Sequence, residues 1–382
     1  MPQDPVASAA PAVAAPRIAS PVHGAVDPGE LAALGLEPAQ VTVFSASVNP
    51  YGPPPGILQA VRRAVTEQNL ARYPDPECQE LRQALARHHG LDPDWVWVGN
   101  GSAALIWLLA RALGAGRRAA VLAPTFSEYA NGLLAAGATL LPVSLPGWRV
   151  TSAGHFAPGP EHLAPVQEAL AQADPALVFL CNPNNPTGRL LAPQEVRALH
   201  RAAPNALWIL DEAFMPFVAH PWSAAKWLPQ GGWAVLRSLT KDFGLSGLRL
   251  GYLLAPPPVI QAIRALQPPW TVNRLAQVAG LAGLQELAWR QASLARLRED
   301  GQAFQAALRE HGFHPWPTDA NFFLLPVDDP AQARQALLGR RLLVRDATSF
   351  GLPGFLRLCV RRPAENQRLV RALSQLPITP QS

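Results

Sequence analysis

Between Ile57 and Arg237 short, continuously apolar runs alternate with longer stretches of helical spacing. Trp95–Val98, Ala119–Ala123, Thr139–Ser144, Leu177–Cys181, Leu207–Leu210 and Trp233–Arg237 read as strands, and stretches such as Pro193–Ala202 read as the helices between them. Runs without polar alternation belong to strands covered on both faces. Strand–helix alternation therefore predicts an α/β fold built on a largely parallel sheet. Gly99-Asn100-Gly101-Ser102 is a turn leading from the first run into a predicted helix, Ala103–Leu113. Thr271–His311 is a long Ala/Leu/Arg-rich helical stretch. Beyond it Asn321–Leu325, Leu342–Arg345 and Phe355–Val360 read as strands and Ala364–Leu373 as a closing helix. The 382 residues suffice for two packed cores. The expected division is a tail over 1–20, an irregular arm over 21–56 that joins the smaller domain, a large domain over 57–270 and a small α+β domain over 271–382.

Composition removes several function classes. No apolar run is long enough to cross a bilayer. Met1–Ser20 is rich in Ala and Pro but lacks a basic segment followed by a continuous apolar one, so a disordered tail is expected rather than a signal peptide. Cys78, Cys181 and Cys359 lie far apart with no CxxC spacing, which argues against a disulfide framework or a metal site and fits a reducing cytoplasm. The net charge of +5 comes from basic residues scattered singly or in pairs, as at Arg62–Arg63, with no basic stripe for nucleic acid. Lys226 and Lys241 are the only lysines, so chemistry that needs a side-chain amine has two candidates.

Four segments carry candidate chemistry. Ser238-Leu239-Thr240-Lys241-Asp242-Phe243-Gly244-Leu245-Ser246-Gly247-Leu248-Arg249-Leu250-Gly251-Tyr252 places a lysine just past a strand among hydroxyls and glycines, where an amine can face a cavity and lose its proton. Ser238 and Arg249 offer phosphate ligands. Nothing comparable surrounds Lys226. Gly99-Asn100-Gly101-Ser102-Ala103 leaves backbone N–H groups free at a helix start, which suits a phosphate but is also an ordinary turn. Asn182-Pro183-Asn184-Asn185-Pro186-Thr187-Gly188 follows a strand end, where ligands gather in α/β sheets, and Asn185 can donate a hydrogen bond. Asp211-Glu212-Ala213-Phe214 puts a carboxylate at another strand end, a position that also suits a helix cap.

Taken in this order, the four segments resemble the class I/II pyridoxal-phosphate-dependent aminotransferases, over about Val43 to Leu373. The resemblance implies fold type I, a pyridoxal 5′-phosphate cofactor and a homodimer. It makes Lys241 the Schiff-base lysine and pairs Asp211 with the pyridine nitrogen, keeping the ring an electron sink. By the same resemblance Asn185 meets the ring 3′ oxygen. Ser102, Ala103, Ser238 and Arg249 hold the phosphate, and Phe126 stacks on the ring. Tyr73 reaches the phosphate of the neighbouring subunit, and Arg357 grips the substrate carboxylate.

Within the family, Val22-His23-Gly24, Phe44–Pro54, Val344–Gly354 and Arg361–Asn366 resemble a branch that decarboxylates an O-phosphorylated amino acid on the route to cobalamin. The competing branch transaminates a phosphorylated amino alcohol. Phe214 stands where transaminases commonly carry Tyr, whereas Ala25 departs from the decarboxylase pattern of a second glycine. His23, Asn49, Arg345 and Arg357 are the expected ligands of the carboxylate and phosphate of a small phosphorylated substrate. A strand-end surface arginine remains the alternative for Arg345.

Overall fold

The computed structural model describes residue 24, residues 26–145 and residues 163–376. His23 and the expected tail lie outside the described residues. Among the described residues, twelve strands form three sheets. The largest holds seven, in the order β2 (Val96–Gly99), β8 (Gly251–Leu254), β7 (Trp233–Ser238), β6 (Leu207–Asp211), β5 (Leu177–Cys181), β3 (Arg118–Ala123) and β4 (Thr139–Ser144). All neighbours from β7 to β4 are parallel, and β8 is antiparallel to both β7 and β2. The carboxyl ends of β2, β3, β5, β6 and β7 therefore share one edge, at Gly99, Ala123, Cys181, Asp211 and Ser238. The large sheet is the α/β architecture expected, with β8 the one strand in it that was not anticipated.

Successive residues of one strand enter different cores. Val178 and Leu180 of β5 join Val196, Trp208 and Val235, while Leu177 and Phe179 join Leu105, Tyr129 and Ile209 on the other face. A pleated strand projects alternate side chains to opposite faces, so a strand buried on both sides must be apolar throughout. A third core, with Phe44, Leu297, Phe304, Phe323 and Leu358, fills the carboxyl-terminal part of the chain. It packs on β9 (Phe322–Pro326), β12 (Phe355–Cys359) and β11 (Arg345–Asp346), an antiparallel sheet in which β12 is central.

Four expectations are corrected. The helical stretch Thr271–His311 is two helices, Arg274–Gly283 and Leu287–Glu310. Ala276 and Ala279 of the first pack in the core of the large sheet, and Leu294, Leu297, Phe304 and Leu308 of the second pack in the carboxyl-terminal core. One straight rod cannot serve both. The arm is not wholly irregular. It holds the helix Pro28–Ala33, capped by Asp27 Oδ1 on the N–H groups of Gly29 and Glu30, and β1 (Thr42–Val43), paired in parallel with β10 (Leu342–Leu343). The single run Leu342–Arg345 is accordingly split between two sheets at Val344. The helix predicted from Ala103 starts at Gly101, which puts Ser102 and Ala103 in its first turn.

Gly251 links these elements. It is the register partner of both Gly99 and Ser238, and a Cβ there would lie 2.5 Å from the Ser102 nitrogen and 3.0 Å from the Arg237 carbonyl oxygen. Both obstacles are backbone, so Gly251→Ala is expected to cost about 1–3 kcal/mol of stability in urea unfolding, the range for overpacking. Gly339→Ala, at a helix end with nothing within 4 Å, is the control and should be neutral or stabilising. Equal stability of the two variants would contradict the close approach at Gly251.

Candidate active site

The shared strand edge collects the candidate groups. Asp211, the last residue of β6, is buried, and burial pushes its carboxyl above the usual range. Opposing that shift, the Tyr129 hydroxyl donates to Oδ2 at 2.8 Å and the Ala213 N–H to Oδ1 at 2.9 Å, with Lys241 and Arg237 contributing positive charge. Each carboxylate oxygen has two lone pairs, so one further donor can be accepted. Tyr129 went unrecognised in the sequence. The available signal was its place three residues after Phe126, whose ring it meets edge-on at 5.7 Å. Burial and the neighbouring Asp211 hold the Tyr129 phenol protonated, well above its usual range. Glu212 turns away from this edge to pair with Arg237 at 2.6 Å.

Lys241 follows β7 by three residues, and its Nζ lies 5.7 Å from the centre of the Phe214 ring. Desolvation, reinforced by the Arg357 and Arg249 guanidinium groups, lowers its pKa to about 8. A substantial neutral fraction is thus present near neutral pH, which a nucleophilic amine requires. The charged form costs stability below pH 8. Because the unfolded chain binds the proton more tightly, that cost is relieved as pH rises from 8 towards the ordinary lysine range.

The three asparagines after β5 divide their work. Asn182 exchanges hydrogen bonds with the backbone of Leu191, and Asn184 ties down Pro124 and Thr125. Only Asn185 turns to the site, where its Oδ1 accepts from Arg357 Nη1 and its amide hydrogens have no acceptor among the described residues. By holding Asn184, the Pro124–Thr125 turn fixes the position of Phe126.

At the start of the helix Gly101–Leu109 no side chain caps the free N–H groups. Arg249 adopts a left-handed backbone, φ +58°, and its guanidinium lies against Gly101, where a Cβ would come within 2.6 Å of Nη2. A non-glycine residue in that region is strained, which the surrounding packing must enforce. Ser238 Oγ and Thr240 Oγ1 are 2.7 Å apart beside this turn. An uncapped helix start, a guanidinium and two hydroxyls form a phosphate cradle.

Arg345 and Arg357 are direct partners across β11 and β12, both buried. Arg357 Nη2 donates to the Ser45 carbonyl at 2.6 Å, and its Nε has no partner. Arg345 donates to Ser349 Oγ at 2.7 Å, and desolvation together with Arg357 lowers its pKa to about 10. Phe350 lies against both guanidinium groups, at 5.1 and 5.6 Å. Like charges directly opposite in a sheet are destabilising, so this pair suits an anionic ligand.

Asn49 and Tyr73 are placed differently from the rest. The Asn49 N–H donates to the Lys241 carbonyl, but its side-chain amide is engaged by the Asp242 carbonyl, Ser293 and the Tyr51 N–H. It braces the lysine loop against the arm. Tyr73 is 78% exposed and stacks on Trp270, apart from the other site residues of its own chain. A Cβ at Gly24 would come within 3.3 Å of Arg357 Nη2.

The site therefore offers an amine of lowered pKa, one buried carboxylate with an open lone pair, a phosphate cradle and an asparagine donor. That set fits pyridoxal phosphate: Asp211 for the ring nitrogen, Asn185 for the 3′ oxygen, Lys241 for the aldehyde and the helix start with Arg249 and Ser238 for the phosphate. In cofactor-free Lys226→Ala protein, acylation of Lys241 should rise through a midpoint of about pH 8. Arg357→Gln should move the midpoint up, because a neighbouring cation is lost. A midpoint at the ordinary lysine value would refute the electrostatic account.

Comparison with known proteins agrees with this chemistry. The model of the aminotransferase class I and II family matches residues 39–373. Threonine-phosphate decarboxylase of Salmonella typhimurium is 37% identical over 89% of this chain and 92% of its own length. Histidinol-phosphate aminotransferase of Symbiobacterium thermophilum is 36% identical over 89% and 91%. The crystal structure of L-threonine-O-3-phosphate decarboxylase from Porphyromonas gingivalis superposes with a TM-score of 0.74 at 26% identity, covering 86% of this chain and 97% of that one. The chain belongs to the class I and II aminotransferase family, whose members work with pyridoxal phosphate.

Proposed function

We propose that the protein decarboxylates L-threonine O-3-phosphate to (R)-1-aminopropan-2-ol O-phosphate, a reaction of cobalamin synthesis. The observation that carries this reading is the facing pair Arg345 and Arg357, two buried cations positioned for a substrate with two anionic groups. Phe214 supports it. Packed on Phe217 and Phe322, it presents an apolar ring to Lys241 where a transaminase-like tyrosine would present a hydroxyl. The threonine-phosphate decarboxylase relatives are consistent with the same substrate.

When bound, the cofactor supplies an electron sink for the pair left at the substrate Cα. The protein's residues decide which bond yields that pair. Arg345 and Arg357 would hold the substrate's carboxylate and phosphate between them and so fix the Cα–carboxylate bond as the one presented for cleavage. That bond breaks, CO₂ leaves, and a proton takes its place at Cα. Asp211, its carboxylate fixed by Tyr129 and the Ala213 N–H, would keep the pyridine nitrogen protonated. The Lys241 Nζ, poised between charged and neutral, is the group placed to carry a proton.

The histidinol-phosphate aminotransferase relative, at almost equal identity, defines the alternative. Offering both substrates together with 2-oxoglutarate separates the two. CO₂ release from threonine phosphate without glutamate formation is expected. Glutamate from histidinol phosphate, with threonine phosphate left intact, would overturn the proposal. Arg357→Ala should lose transition-state stabilisation of about 2–5 kcal/mol, as for a truncated buried charge pair, and retain the cofactor.

We also infer a homodimer in which Tyr73 serves the partner's site. Tyr73 and Trp270 stack as an exposed aromatic pair, and closed two-fold pairs are the commonest assemblies. Mixing inactive Tyr73→Ala chains with inactive Lys241→Ala chains should regain activity, because a mixed dimer contains one complete site. Failure to regain it in verified mixed dimers would exclude a shared site.

A further inference from the structure

A second cavity lies away from the candidate active site. Its volume is ≈ 480 Å³, and it is enclosed by the helix Gln79–His89, the chain after Phe214 and the helix Leu287–Glu310. A smaller cleft of ≈ 160 Å³ continues from it, and the two share Ala219, Leu294 and Arg298. None of the expected cofactor or substrate ligands lines either space. Together they reach the size of pockets that hold small organic ligands.

The two ends differ in chemistry. Lys226, Arg237, Arg290 and Arg298 line the larger cavity, and no carboxylate does. Glu212 and Asp242, behind the wall, pair with Arg237 and Arg290. Among the described residues no carboxylate comes within ion-pair distance of Lys226 or Arg298, and the buried Nε of Arg237 has no partner. Lys226, at the exposed rim, and the half-buried Arg298 therefore leave positive charge in excess in this cavity.

Asn321 lines the smaller cleft. It is only 4% exposed, yet neither its amide nitrogen nor its amide oxygen has a hydrogen-bond partner. Buried polar groups are normally satisfied, and an amide with both functions open calls for a ligand edge carrying a donor beside an acceptor. Adenine presents such an edge through N6–H and N7. Asp319, the acid of this cleft, accepts from the Leu190 N–H at 3.1 Å. Leu294 and Ala219 form apolar wall between the ends.

We propose that this cleft binds a purine nucleoside monophosphate, with its phosphate among Lys226, Arg237 and Arg298 and its base edge on Asn321. The cleft shares a wall with the catalytic lysine loop, since Arg290 in its lining pairs with Asp242, the residue after Lys241. Binding at this place is independent of which reaction the active site performs.

Titration calorimetry of the cofactor-loaded protein with AMP, and separately with inorganic phosphate, tests the assignment. One AMP per chain is expected, bound more tightly than phosphate. Arg298→Gln and Asn321→Ala should each weaken AMP about tenfold or more, as for loss of a buried hydrogen-bonding partner. Both variants should keep turnover without AMP, which shows that they fold, and Asn321→Ala should leave phosphate affinity unchanged. Arg357→Gln should leave AMP binding intact. Absence of AMP binding in the wild-type protein, binding undiminished in both cleft variants, or loss of AMP in Arg357→Gln would each overturn the proposal. Phosphate binding as tightly as AMP would overturn the purine assignment.

Discussion

A buried carboxylate and an amine of lowered pKa stand at the ends of two adjacent parallel strands, and the rest of the site is arranged around them. Asp211 closes β6 and Lys241 follows β7, which pairs with β6 in register from Trp208–Trp233 to Asp211–Leu236. Burying a carboxylate is costly unless it is hydrogen-bonded and matched by positive charge. Tyr129 and the Ala213 N–H supply the hydrogen bonds. Under the proposed reading a protonated pyridine nitrogen would supply the charge. The lysine is governed by the complementary rule: burial and nearby guanidinium groups disfavour its charged form.

The facing arginines follow from a different element. β12 is the central strand of a small antiparallel sheet, and Arg357 at its middle reaches across to Asn185 and the Ser45 carbonyl. One side chain thus joins the carboxyl-terminal sheet, the arm and the loop after β5. Arg345, forced opposite it by the β11–β12 register, gives the site a second cation and hence room for a second anionic group. The arm is bound into this arrangement by its backbone, through β1 on β10 and Asn49 on Lys241.

Much of this was legible in the residues. Strands buried on both faces must be apolar throughout, so β3, β5, β6 and β7 declared themselves, and the polar residues at their ends followed. Elements whose definition depends on distant partners did not. β8 is four residues long and begins in the last two residues of the lysine motif, where nothing in its own composition marks an antiparallel return beside β2. The break between Gly283 and Leu287 arises from two cores in different places, which helical periodicity does not register. Tyr129 reads as one more aromatic residue until the helix Glu128–Ala135 is seen to place its hydroxyl on Asp211. Asn49 was expected at the substrate, but the packing of the lysine loop engages its amide.

The central claim is that Lys241, and not the exposed Lys226, carries the cofactor. Borohydride reduction of the loaded protein, followed by peptide mass mapping, tests this without reference to the reaction catalysed. With only two lysines in the chain the answer is binary. The account predicts the added cofactor mass on the peptide containing Lys241 alone; the same mass on the Lys226 peptide, or its persistence in Lys241→Ala protein, would contradict it.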